Sequence, residues 1–241
     1  MRNYFLSNKI ITWYWDNHRC WECDELLVRH SHKNIPSHSF NVNHITRGLG
    51  PHVPLCSSQW GSKTVEFAGD VLFDLRSDKL YGGYSEYPFA ERNEFLHEIH
   101  STSQVDTAVT ISAASRKKSC YWKKGEFQRF SEWCGYKVAV CLPLAKDLSS
   151  RFFDSLLAGQ IPIVPEDCID LNKVVPPDIQ RRLGVVRFKG YSIESLFEAY
   201  QLALGIFNDQ GTEGVLARHY YIKQNHLLIH RLRELRSFFL D

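Results

Sequence analysis

The sequence predicts an α/β protein: a Rossmann-like, mainly parallel sheet flanked by helices, preceded by a partial α/β unit. Three observations predict it. Apolar runs of strand length alternate along the chain with amphipathic runs of helical spacing, the order that builds a parallel sheet. The run "YKVAVCLPL" from Tyr136 is apolar almost throughout, as a strand buried on both faces must be. The segment "SSRFFDSLLAGQIPIVP", Ser149 to Pro165, joins a polar helix start to a second buried strand through Ala-Gly.

Taken in order, "KIITWYW" from Lys9 is a strand, "CWECDELLVRHS" the helix after it, and "GPHVPLCSSQWG" a connecting loop. A second series opens with the strand "DVLFDL" at Asp70 and a glycine-bearing loop, "LYGGYSEYP". The helix "AERNEFLHEIHS" follows, with Phe95, Leu96 and Ile99 on one side, and then the strand "DTAVTIS". "GEFQRFSEWCG" is helical by the spacing of Phe127, Phe130 and Trp133. After the strand "IPIV", the chain runs through "VVPPDIQRRLG" to the strand "VVRF". Two longer helices, Ile193 to Phe207 and Glu213 to Phe239, come last. The boundary falls within Gln59 to Gly69, giving a small unit over 1–65 and a larger one over 66–241.

Composition narrows the function. With 44% apolar and 23% charged residues the chain is globular, and 29 basic against 27 acidic residues leave a net charge of only +2. That excludes a strongly basic nucleic-acid binder, so no nucleic acid is expected as partner. No apolar run approaches the ~20 residues of a membrane-spanning helix, and the first residues lack the apolar core of a signal peptide. Seven scattered cysteines predict reduced thiols and a cytoplasmic setting. Cys20 and Cys23 have no second pair to complete four zinc ligands, and His30, His32, His38, His44 and His52 fit no zinc spacing, so no metal is expected. No G-x-G-x-x-G follows a strand, which removes the dinucleotide fingerprint.

The chemistry concentrates in the helix after "YKVAVCLPL". Turned by 100° per residue, Ser149 to Ala158 puts Phe152, Phe153, Leu156 and Leu157 on one broad face. Arg151, Asp154 and Ala158 fall on the opposite stripe, where they line a cleft. Asp147, Ser149 and Ser150 occupy the N-cap region, and a helix N-terminus attracts an anion such as a diphosphate. Arg151 then neutralises phosphate, and Asp154, deeper in the helix, accepts from ribose hydroxyls. Gly159 ends the helix in a left-handed conformation, and Pro162 prevents its continuation. A capped structural helix with a surface Arg-Asp pair accounts for the same pattern on these grounds alone.

This segment resembles the nucleotide-sugar-binding stretch of GT-B glycosyltransferases, where a carboxylate five residues before a glycine, followed by an Ile/Pro/Val strand, contacts the donor ribose. Asp154 and Gly159 match that spacing. The run from Tyr136 to Pro165 is similar to exostosin-like, fucosyltransferase-like and spore-coat glycosyltransferase-like families. "LYGGY" followed by "ERNEFL" is similar to the first loop and helix of the donor-binding domain in the last of these. The resemblance implies that Tyr81, Gly82 and Gly83 approach the diphosphate and that Arg92 is a supporting cation. It spans residues 69–215 well and the beginning loosely. Eight residues before Asp154 stands Lys146, with Asp147 beside it, where many retaining GT-B enzymes carry a carboxylate. The stereochemical outcome therefore stays open.

Residues 1–65 look like the last strand-helix-strand of an acceptor-side domain, and "ITWYWDNH" is similar to a strand end facing the cleft. Asp16 or His18 would be the general base there, since either group takes a proton at a cleft; a solvent-facing turn with Asn17 as cap is the other reading. Leu216, Tyr220, Leu227, Leu228, Leu232, Leu235 and Phe239 form a stripe on the last helix that suits bracing the first unit. Its cations also suit an anionic membrane surface, where lipid-linked acceptors sit. The expected function is transfer of a sugar from a nucleotide-sugar to a hydroxyl of a glycan or lipid-linked acceptor, with no cofactor, and with a partner chain as one source of the missing first-domain strands. The alternative is a non-catalytic or truncated relative acting as a binding module.

Overall fold

The computed structural model describes the backbone of residues 2–6, 9–13, 44–47 and 52–54, and the chain over 57–86, 92–113, 123–143, 148–168 and 171–233. Near the start, β1 (Arg2–Leu6), β2 (Lys9–Trp13), β3 (His44–Arg47) and β4 (His52–Pro54) form a four-stranded sheet in chain order. Every pairing in it is antiparallel, with Arg2 opposite Trp13, Ile11 opposite Arg47 and His44 opposite Pro54. Antiparallel pairing of β2 with β3 differs from the parallel pairing a strand-helix-strand crossover gives, and the expected helix "CWECDELLVRHS" between them lies outside the described residues. It also puts a strand at His52–Pro54, inside the expected connecting loop.

The second sheet has five strands in the order β6-β5-β7-β8-β9, all parallel. They are β5 (Ser77–Glu86), β6 (Thr107–Ala113), β7 (Tyr136–Val140), β8 (Ile161–Pro165) and β9 (Val186–Phe188). Helices flank this sheet, as the alternating pattern predicts: an α/β, Rossmann-like architecture. The first strand in sequence lies second in space, so the chain reverses its direction of travel across the sheet between β5 and β7. In open parallel sheets such a switch point leaves a crevice at the carboxyl ends of the two strands.

The helices among the described residues include α1 (Ser62–Val71), α2 (Asn93–Ser101), α3 (Glu126–Cys134), α4 (Ser150–Leu157), the short α5 (Leu171–Val174), α6 (Pro177–Leu183) and α7 (Ile193–Asn225), which kinks at Gly211 (φ 52°, ψ −146°). That kink lies between the two long helices the sequence predicts, but the second is shorter than expected: it ends at Asn225, residues 226–227 bend, and a separate helical stretch covers 228–233. Phe152, Phe153, Leu156 and Leu157 of α4 have no exposed surface, and burying each contributes roughly 1.5–3 kcal/mol. β8 is buried over its whole length between β7 and β9, the environment its unbroken apolar run requires.

Three elements differ from expectation. "DVLFDL" is no strand: Val71 ends α1, and Leu72 to Asp74 turn away from it. "LYGGYSEYP" is no glycine loop, since Leu80 to Glu86 belong to β5, an interior strand of the sheet. Glycines read as punctuation, but a Cβ on Gly82 would sit 2.8 Å from the Tyr84 ring and 3.2 Å from Val140. Gly82 is thus a packing requirement of the strand. In the second half of α7 the buried residues are Gly214, Val215, Arg218, His219 and Ile222, whereas Tyr220 of the expected apolar stripe, and Leu228 and Leu232 beyond the end of α7, are exposed. Arg218 is buried because it finds carbonyl partners inside.

No described helix is long and apolar enough to cross a membrane.

Candidate functional site

The candidate site lies at the switch point, where β5 and β7 end and α4 begins. Ser149 has extended backbone (φ −68°, ψ 144°), and its Oγ accepts from the Arg151 N–H at 3.3 Å, so it is the N-cap of α4. Ser150 is the first helical residue. A phosphate at this helix start would replace the serine as acceptor for that N–H. Asp147 lies outside the described residues.

Arg151 is half-buried in the first turn. Its Nε donates to the Gly83 carbonyl at 2.7 Å, and its guanidinium carbon lies 4.6 Å from the centroid of the Tyr84 ring. Arg92, at the N-cap of α2, is buried; its Nη1 donates to the Leu142 carbonyl at 3.1 Å and its guanidinium lies 5.0 Å from the same ring. Two cations thus share one aromatic ring. Each contact of this kind contributes about 0.5–2 kcal/mol.

Tyr84 anchors the arrangement. Its hydroxyl donates to the Val140 carbonyl at 2.5 Å and accepts from the Leu142 N–H at 2.9 Å, tying β5 to the carboxyl end of β7. Burial pushes its pKa up to about 12, so it remains a neutral phenol. Cys141, next along β7, is likewise raised to about 12 by burial and stays a thiol.

Of the residues expected at the diphosphate, Gly83 reaches the site, contributing its carbonyl to Arg151. Gly82 is buried beneath the Tyr84 ring. Tyr81 packs in the core, stacked on Tyr136 with centroids 4.6 Å apart and edge-on to Trp133 at 5.1 Å. The expected open loop of Tyr81, Gly82 and Gly83 is corrected accordingly: all three belong to β5, and the Tyr81 ring lies in the core. Asp16 and His18 lie outside the described residues.

Asp154 departs most from the expected cleft-lining stripe. Its relative exposure is 0%, as is that of Ala158. Oδ1 accepts from Ser58 Oγ at 2.7 Å and from the Gln59 backbone N–H at 3.0 Å, and Oδ2 accepts from Gln59 Nε2 at 2.6 Å. Burial raises its pKa to about 6, outweighing the bonds from Ser58 and Gln59 and the charge of Arg151. Ser58 Oγ also accepts from the Trp60 N–H at 3.2 Å, and the Ser58 N–H donates to the His226 carbonyl at 2.9 Å. The segment before α1 is thereby fastened to both α4 and the end of α7.

Sequence reasoning missed Ser58, Gln59 and Tyr84. Ser58 and Gln59 meet Asp154 across 96 and 95 residues, and no local pattern announces such a contact. Tyr84 had a signal: a tyrosine two places after a glycine in a strand puts its ring on the glycine's own face.

No family model matches the sequence, and no curated protein matches it. Among solved structures the chain is similar to the catalytic domain of Starch Synthase IV from Arabidopsis thaliana bound to ADP and acarbose, at 9% identity and a TM-score of 0.45. The match covers 74% of this chain and 42% of that chain, so this chain spans less than half the length of that relative.

Proposed function

We propose that this chain binds a nucleotide-activated sugar and acts as a glycosyltransferase of the GT-B type. The observation that carries this is the convergence of Arg151 and Arg92 on the Tyr84 ring at the start of α4, above the switch point of a parallel sheet. A diphosphate seated there meets a guanidinium from α4, a second from the start of α2, and the positive end of the α4 dipole.

In the reaction an acceptor hydroxyl attacks the anomeric carbon while the bond from that carbon to the diphosphate oxygen breaks. The electron pair leaves with the nucleoside diphosphate, and the hydroxyl proton passes to a base, for which Asp16 or His18 is proposed. Arg151 and the helix end stabilise the charge that develops on the leaving group, so in this scheme fixed cations serve where other enzymes use a metal. Asp154, one turn further along α4, is the proposed acceptor for ribose hydroxyls.

Calorimetric titration of ADP, GDP and UDP into the wild type and into Arg151→Ala tests the proposal. Saturable binding of one nucleotide, weakened at least about tenfold by the substitution, supports it. No heat from any of the three with the wild type overturns it.

A further inference from the structure

The cover over Asp154 is itself informative. Oδ1 holds two donors from the segment before α1, Ser58 Oγ and the Gln59 N–H, and both are fixed: Ser58 is buried and the second is backbone. Among the described residues Oδ2 receives a single donor, the Gln59 side-chain amide. Asp154 has no exposed surface, whereas Gln59 is exposed. The donor on Oδ2 thus comes from an exposed side chain, whereas those on Oδ1 come from a buried hydroxyl and from backbone.

From this we infer that Gln59 is a gate: its amide occupies the acceptor position on Asp154 Oδ2 that a ligand's vicinal hydroxyls take when the nucleotide binds. The inference rests on the reading of α4 as a nucleotide-sugar site. A buried carboxylate oxygen is costly to leave without a donor, so the amide departs only when another donor arrives. Ribose supplies two hydroxyls on adjacent carbons, which suits the exchange. In the closed state Gln59 competes with the ligand. Removing its side chain removes the competitor and leaves both donors on Oδ1 in place.

The test compares wild type with Gln59→Ala, titrating each with ADP, GDP and UDP and with their 2′,3′-dideoxy counterparts. The alanine variant keeps both donors on Oδ1, and urea unfolding of each protein alongside the titrations reads what the lost amide costs the fold. The expected result is that Gln59→Ala binds the ribonucleotide about tenfold more tightly, a change of about 1.4 kcal/mol, while the affinity for the dideoxy compound is unchanged. Equal or weaker ribonucleotide binding by Gln59→Ala overturns the gate and leaves the donor site standing. An equal gain for the dideoxy compound also overturns it, because the side chain would then hinder by bulk alone. Absence of binding by both proteins overturns the donor site and the gate together.

Discussion

The Nε–H of Arg218 donates to the carbonyl oxygen of Gly159 at 2.9 Å, joining the second half of α7 to the end of α4. Arg218 has a relative exposure of 0%, and burial lowers its pKa to about 9. Its Nη1 reaches Gln210 Oε1 at 2.5 Å and the Leu183 carbonyl at 3.4 Å, and its guanidinium sits 5.3 Å from the Phe207 centroid. Gly159 and Leu183 are at the ends of α4 and α6, where carbonyls lack helical partners and a cation is favoured.

Arg218→Ala should therefore destabilise the fold by about 3 kcal/mol, from an emptied cavity and orphaned carbonyls. Urea unfolding followed by far-ultraviolet circular dichroism reads this directly. A loss below about 1 kcal/mol would mean that water replaces the guanidinium without difficulty.

Gly159 itself should tolerate no side chain. It stands at φ +76°, and a Cβ there would lie 2.6 Å from Val215 Cγ1 and 3.2 Å from Arg76 Nη2. Left-handed backbone costs a non-glycine residue about 1–2 kcal/mol, and overpacking about 1–3 more. Gly159→Ala should lower the urea midpoint by the equivalent of about 2–5 kcal/mol, with an unchanged m-value.

Tyr84→Phe and Tyr84→Leu separate two jobs of one residue. The phenylalanine keeps the ring under Arg92 and Arg151 but leaves the Val140 carbonyl and the Leu142 N–H without their partner. It should cost about 1–3 kcal/mol of stability and hold nucleotide affinity within about threefold. The leucine removes the ring and should weaken nucleotide binding about tenfold, as the cation–π support of both arginines goes. Unfolding and calorimetry on the same two proteins check both expectations.

Two buried groups give stability opposite pH dependences. Asp154 titrates near 6 in the fold, raised chiefly by burial, against about 3.9 in an unfolded chain. Between those values the native state holds the extra proton, so this group raises stability as pH falls from about 6 to 4. His226 is lowered to about 3, first by burial and then by the Arg231 and His230 charges. Below about 6.5 the unfolded chain takes a proton that the native imidazole refuses, so this group removes stability as pH falls. Asp154→Asn should therefore lose stability relative to wild type increasingly from pH 7 to pH 4, by on the order of 2–3 kcal/mol. His226→Phe should flatten the acid limb. Urea midpoints of the three proteins at pH 4, 5.5 and 7 decide both signs.

Much of the second sheet was legible because buried parallel strands have no polar alternation to confuse them: "YKVAVCLPL", "IPIV" and "VVRF" all carry strands where expected. The N-cap at Ser149 and the left-handed Gly159 were legible for a related reason, being demands that a single residue type meets. β5 was missed because Gly82 and Gly83 imitate a loop, and only the Tyr84 ring explains why a strand carries glycine there. α1 was hidden because "DVLFDL" contains enough apolar residues for a strand while supplying only the last turn of a helix. At the site, the approach of Arg92 and Arg151 to the one Tyr84 ring follows from strand order, which local periodicity does not encode. The donors on Asp154 come from the far side of the chain.

That last contact has a bearing on how the molecule can be divided. Ser58 and Gln59 provide the three hydrogen bonds seen on Asp154, yet both precede α1. A fragment trimmed to begin at Gly61 would strand an ionised group in a dry interior. Its yield and solubility should improve in mildly acidic buffer, and returning four residues to its front should restore tolerance of neutral pH.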